Sequence, residues 1–244
     1  MTKPGYTDIT LLLDRSGSMA SIGPQLIAGY QQFLAEQQAV GVPAEVTWSL
    51  LLFDHEYRVL DRAVPIAQAK PLTPRTFQPR GNTALWDAFG RVIQETGDRL
   101  FAIPEPERPS QVLLITISDG IENASQRYRP EQLQAMVDHQ RLRYLWQFAF
   151  LGANQDLARE TRQLGLRSTE IAPWTPTPDG VKEMFHKLSE RTSQYRRSGQ
   201  SPVPTFFPAF PGRFEAQRRG DAARLSALEF SSVNTPLRQY RPAA

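Results

Sequence analysis

The tightest constraint on how this chain can fold is a transition that occurs twice. The apolar run Ile9-Thr10-Leu11-Leu12-Leu13 breaks at once into Asp14-Arg15-Ser16-Gly17-Ser18-Met19. In the same way Val112-Leu113-Leu114-Ile115-Thr116-Ile117 breaks into Ser118-Asp119-Gly120-Ile121-Glu122-Asn123. Each run is too short for a comfortable helix and is apolar without alternation, the pattern of a central strand in a parallel sheet covered on both faces. The oxygen-rich stretches then fall at strand carboxyl ends, where open α/β sheets bind ligands. One carboxylate and two hydroxyls, from Asp14, Ser16 and Ser18, suit a hard divalent ion such as Mg²⁺, which takes oxygen ligands and keeps several waters. Gly17 is expected to let the loop fold tightly enough for both hydroxyls to converge.

Around these strands, helical and strand patterns alternate. Ile22, Leu26, Ile27, Tyr30, Phe33, Leu34 and Val40 recur at helical spacing and stop near Gly41 and Pro43. Val46 to Phe53 reads as a strand, Asp54-His55-Glu56 as a turn, and Tyr57 to Leu60 as a short, solvated edge strand closing a hairpin. Asp61 to Arg80, with Pro65, Pro71, Pro74 and Pro79, reads as a loop over the sheet's end. Asn82 or Thr83 is expected to cap a helix carrying Leu85, Phe89, Val92, Ile93 and Leu100 on one face, and Asp87 in its first turn reads as a solvated or a dipole-favoured acid. Pro130 opens a further helix, Trp146 to Leu151 is a strand, and Leu157, Thr161 and Leu164 mark a helix behind it. A short strand near Glu170 to Ala172 and a last helix capped at Thr177-Pro178-Asp179 complete the regular part.

From about Arg196 the chain changes character, with closely spaced prolines, Phe206, Phe207, Phe210 and Phe214, and then arginines; Arg218 to Phe230 reads as a possible short helix. The division expected is a domain over 1–197 and a Pro/Phe/Arg-rich extension over 198–244 that lies extended on the domain or on a partner. The chain has no cysteine, which removes thiolate metal sites and cysteine nucleophiles and fits a reducing compartment. A net charge of +3, with acids interleaved among the tail's arginines, argues against nucleic-acid binding. No signal peptide and no membrane span is read, so a cytoplasmic location is expected.

Taken singly, a D-x-S-x-S stretch is most often a solvated turn or a helix cap, Thr83 an N-cap, and Asp119-Gly120 a turn. Together, Asp14, Ser16 and Ser18, then Thr83, then Asp119 resemble the von Willebrand factor type A domain, whose metal-ion-dependent adhesion site is a D-x-S-x-S loop, a threonine loop and an aspartate loop in that order. The resemblance covers roughly Tyr6 to Tyr195, and the stretches around Asp14, Gly81-Asn82-Thr83-Ala84-Leu85 and Ser118-Asp119-Gly120 look most like bacterial cytoplasmic members. It implies an α/β fold with a doubly wound, mostly parallel Rossmann-like sheet, one antiparallel edge strand and helices on both faces. It implies that Ser16, Ser18 and Thr83 ligate Mg²⁺, or Mn²⁺ or Ca²⁺, through hydroxyls, while Asp14 and Asp119 act mainly through bound water. Gly81, Asn82, Gly120, Asn123 and Asn154 are candidates to support those ligands or shape a partner groove, with Asn154 and Asp156 more often caps.

In that family the open metal position is filled by a carboxylate of another protein, so the leading expectation is a non-enzymatic, cation-dependent protein-binding module. A second expectation is an adaptor or regulatory subunit of an AAA+ ATPase of the MoxR type or of a stress-response assembly. A metal-dependent hydrolase ranks below both. The histidines His55, His139 and His186 have no paired ligand spacing and are read as lying away from the ligand loops, no phosphate loop or H-E-x-x-H is present, and Glu122 is the one candidate base in its loop.

Overall fold

The computed structural model describes residues 1–41, 45–153, 161–199, 201–203 and 205–209. Pro43, Asn154, Asp156 and Leu157, and the chain from residue 210 with its phenylalanines and arginines, lie outside the described residues. The strands are β1 (Lys3–Asp14), β2 (Glu45–Phe53), β3 (Tyr57–Pro65), β4 (Pro109–Ser118), β5 (Gln147–Gly152) and β6 (Ile171–Pro173). They pair in the order β3-β2-β1-β4-β5-β6, all parallel except β3, which runs antiparallel to β2 at one edge. Helices α1 (Gly23–Ala39) and α4 (Pro178–Ser198) cover one face, and α2 (Leu85–Phe101) and α3 (Pro130–Tyr144) the other. The doubly wound architecture with one antiparallel edge is therefore present.

Burial on both faces explains why the central strands read as unbroken apolar runs. Ile9, Leu11 and Leu13 of β1 pack with Tyr30, Phe33 and Leu188 from α1 and α4, while Leu12 packs with Leu114, Phe148 and the α2 residues Phe89 and Ile93. Each such side chain is worth about 1.5–3 kcal/mol when fully buried, so neither face leaves room for alternation. β1 begins at Lys3, earlier than its apolar run, and the buried acid in that earlier part, Asp8, is paired. Asp8 takes both arms of the Arg99 guanidinium at 2.8 and 3.0 Å and the Thr47 hydroxyl at 2.5 Å.

β3 runs to Pro65, beyond the short edge strand expected, and takes up the first residues of the expected 61–80 loop. Its register against β2 shifts on both sides of Leu50, and Ala63 adopts φ 47°. Such a bulge turns Asp61 inward, where its carboxylate accepts the Lys70 backbone N–H at 2.9 Å. The core also continues past the composition change near residue 198: Phe206 and Phe207 are buried beside Tyr195. The segment is tied down by the Ser201 hydroxyl on the Leu145 carbonyl, by Val203 N–H on Gln147, and by Phe207 N–H on the Thr169 carbonyl at 2.9 Å. Among the described residues no helix is long and apolar enough to cross a membrane.

Candidate metal centre

β1 and β4 lie side by side with Leu13 opposite Ile117, so Asp14 and Asp119 leave the sheet together. β2 flanks β1 on its other side, so the strand order reverses between β1 and β4, the place where a sheet of this kind opens a crevice. Asp14 is fully buried there. Its Oδ1 accepts the Ser16 N–H at 2.6 Å and its Oδ2 accepts the Ser118 hydroxyl at 2.6 Å. The Ser16 and Ser18 hydroxyls are 3.1 Å apart, and Ser18 donates to Asp119 Oδ1 at 2.6 Å.

Thr83 reaches this cluster from the loop before α2. A Cβ placed on Gly120 would stand 2.7 Å from Thr83 Oγ1 and 3.5 Å from Asp14 Oδ2, so the missing side chain at 120 is the space the threonine hydroxyl uses. Asn123 fixes the same threonine from both sides: its Oδ1 accepts the Thr83 N–H at 2.9 Å, and its own N–H donates to the Thr83 carbonyl at 3.1 Å. Asp14, Ser16, Ser18, Thr83 and Asp119 thus form one cluster, with Gly120 and Asn123 beside it. Gly81 and Asn82 lead into it, whereas Asn154 lies outside the described residues.

The electrostatics of this cluster suit a cation. Burial pushes the Asp14 carboxyl up to about 6, against the pull of the Ser118 and Ser16 hydrogen bonds, and Asp119 adds like-charge repulsion. Burial also raises Asp119, opposed by the Ser18 hydroxyl. Two desolvated carboxylates beside three hydroxyls are a donor set that lacks positive charge, which a hard divalent ion would supply. Among the described residues no group of three or more His, Asp or Glu side chains is gathered for a metal, so the candidate centre depends on those hydroxyls.

Several expectations for the surroundings are corrected. Gly17 is not the pivot of its loop: a Cβ there would meet the Gly81 carbonyl at an ordinary 3.4 Å, and the residue's contribution is its N–H, donated to that carbonyl at 3.1 Å. The glycine that the backbone requires is Gly81, with φ +65°, a left-handed conformation that other residues rarely adopt, and the His55 ring fills the space over it. One histidine therefore does lie against a ligand loop. Neither Asn82 nor Thr83 caps α2, which starts at Leu85 with no side-chain cap from Ala84. Its first amides are met from a distance, Trp86 N–H by Glu122 and Asp87 N–H by Ser125. Asp87 is no solvated acid, since it accepts the backbone N–H groups of Gln126, Arg127 and Tyr128. Glu122 also accepts from Ala124 N–H and from the Ser125 N–H and hydroxyl, so its carboxylate serves the loop.

Sequence reasoning gave Ser118 no role beyond its place in the Ser118-Asp119-Gly120 stretch, and took Asp54 for a turn residue. No protein-family model and no curated protein sequence matches the chain. Solved structures do. The PilB minor pilin from Streptococcus sanguinis matches with a TM-score of 0.56 at 9% identity, over 78% of this chain and 62% of that one. Proximal thread matrix protein 1 from the mussel byssus, with a zinc-occupied metal-ion-dependent adhesion site motif, matches at 0.52 and 16% identity over 78% of this chain and 46% of that one. The ArnB paralog VWA2 from Sulfolobus acidocaldarius matches at 0.51 and 16% identity, over 77% of this chain and 45% of that one. The chain spans less than two thirds of each of these proteins. At such identities the likeness concerns the fold alone, and that fold is a von Willebrand factor type A-like α/β domain.

Proposed function

We propose that the chain is a non-enzymatic protein-binding module of the bacterial cytoplasm that works through a divalent cation and a partner's acidic side chain. Ser16, Ser18 and Thr83 hold the ion through their hydroxyls, and Asp14 and Asp119 mainly through water. The observation that carries this reading is the convergence of oxygens from three separate loops on one desolvated, cation-deficient point. When bound, the ion offers an under-neutralised Lewis-acidic position to an incoming carboxylate. Mg²⁺ is the expected occupant, with Mn²⁺ or Ca²⁺ acceptable to the same donors. The protein's own part is to hold the hydroxyls in place and keep Asp14 dry. A binding role is favoured over hydrolysis because Glu122, the acid nearest the ligands in its loop, is taken up by four protein donors.

Affinity capture on immobilised protein tests this reading. Partner retention in Mg²⁺ is expected to be lost in EDTA and with Thr83→Ala; retention that ignores the chelator contradicts it. Recovery of an AAA+ ATPase under the Mg²⁺ condition alone would extend the role to that of an adaptor. A local check is Gly120→Ala, whose methyl would displace the Thr83 hydroxyl. Mn²⁺ affinity measured by calorimetry should fall by about 10–100-fold, the usual cost of disturbing a ligand's support. Gly17→Ala, with only an ordinary contact to meet, should bind as the wild type does.

A further inference from the structure

We infer that Asp54, which ligates nothing, is the positioning residue that sets the distance between the D-x-S-x-S loop and the threonine loop; this rests on the metal reading above. Asp54 follows β2, and its side chain is 0% exposed. Its carboxylate forms ion pairs with Arg15 Nε at 3.0 Å and Arg80 Nε at 3.1 Å, and accepts the Glu56 N–H at 2.5 Å. Arg15 stands between the ligands Asp14 and Ser16, and Arg80 stands three residues before Thr83. One carboxylate is therefore paired with both ligand-bearing loops, through a hydrogen bond at Arg80 and through charge alone at Arg15, whose Nε makes no hydrogen bond among the described residues.

The backbone repeats the same connection. Arg15 N–H donates to the Phe53 carbonyl at 2.8 Å, and Arg80 N–H to the Arg15 carbonyl at 2.9 Å. Ala84 N–H, immediately after Thr83, donates to the Asp54 carbonyl at 2.9 Å. Gly17 N–H donates to the carbonyl of Gly81, and the His55 ring fills the place a side chain on Gly81 would take. These bonds set chain direction, but Arg15 is a buried cation with 4% of its side chain exposed, and it stays under the loops only while Asp54 compensates it. Glu56 contributes from the rim, 3.6 Å from Arg15 and paired with Arg80, where solvent weakens it. The latch holds the two ligand-bearing loops against the turn that follows β2.

The test is Mn²⁺ titration by calorimetry on the full chain, with hydrogen exchange at the Gly17 and Ala84 amides followed in metal-free protein. Asp54→Asn keeps the shape and the Glu56 contact but removes the charge; Mn²⁺ affinity should fall about 10–100-fold and both amides should exchange faster. Should Asp54→Asn not fold, Arg80→Ala, whose side chain is 47% exposed, carries the test, with a loss of roughly two- to fivefold. Ile93→Ala, a core change under the sheet, serves as the control for destabilisation and should leave affinity unchanged at a temperature where it remains folded. If the wild type binds Mn²⁺ and the folded Asp54 and Arg80 variants bind it equally well, the positioning role is wrong while the metal reading stands. If the wild type binds no Mn²⁺, the metal reading itself fails.

Discussion

Asp14→Ala should abolish divalent-cation binding, leaving a calorimetric trace flat at Mn²⁺ concentrations about 100-fold above those that saturate the wild type. Asp14 does two things that no neighbour duplicates. It holds the Ser16 N–H, which fixes the first hydroxyl of the loop, and through the Ser118 hydroxyl it ties the loop to β4. It also carries much of the negative charge that makes the cluster attractive to a cation. Without metal the substitution should cost less stability than its two orphaned donors alone would. Two orphaned donors are worth about 1–3 kcal/mol each, but removing a desolvated carboxylate beside Asp119 offsets part of that. The contrast appears on adding metal: saturation at about 100 times Kd stabilises a binding-competent fold by about 2.7 kcal/mol. Thermal unfolding should therefore shift upward with Mn²⁺ in the wild type and stay still in Asp14→Ala. A metal-dependent shift that survives the substitution would place the ion elsewhere.

Phe206→Ala should cost about 3–5 kcal/mol of stability, a large fraction of the roughly 5–15 kcal/mol that a domain possesses. Phe206 is 2% exposed, edge-on to Tyr195 with ring centroids 6.1 Å apart, and it meets Phe207 edge-to-face at 4.9 Å. Tyr195, anchored in α4, and Phe207, held by its N–H on the Thr169 carbonyl, cannot collapse fully into the space a ring leaves. Truncation after Gln200 removes both rings together with the Ser201, Val203 and Phe207 hydrogen bonds, and should unfold the chain or come close to it. Phe101, 42% exposed at the end of α2, is the comparison: its replacement by alanine should cost well under half as much. Equal effects at the two positions, by chemical denaturation, would show that the 201–209 segment is not part of the core.

What could be read from the sequence was whatever the chain encodes locally. β1 and β4 announce themselves because both faces are buried, and the five oxygen-bearing residues because each follows a strand or opens a helix at a loop of recognisable pattern. What could not be read depends on partners brought together only by the sheet. Asp54 looks like a turn residue until β1 lies beside β2 and Arg15 comes beneath it. Asp87 looks like a solvated or dipole-favoured acid, and Glu122 like a candidate base, until the 121–129 loop lies against the first turn of α2. The same holds for the bulge that lengthens β3 and for Phe206 and Phe207, which sit in a Pro-rich stretch whose composition suggests extension and whose rings nonetheless find the core.

The most direct test of the account is an anomalous difference map from crystals grown with Mn²⁺. A single strong peak bordered by the Ser16, Ser18 and Thr83 hydroxyls, with Asp14 and Asp119 behind it and one coordination position facing solvent or a neighbouring carboxylate, is the result expected. The same loops in the same arrangement, at saturating Mn²⁺ and with no peak among them, would contradict it.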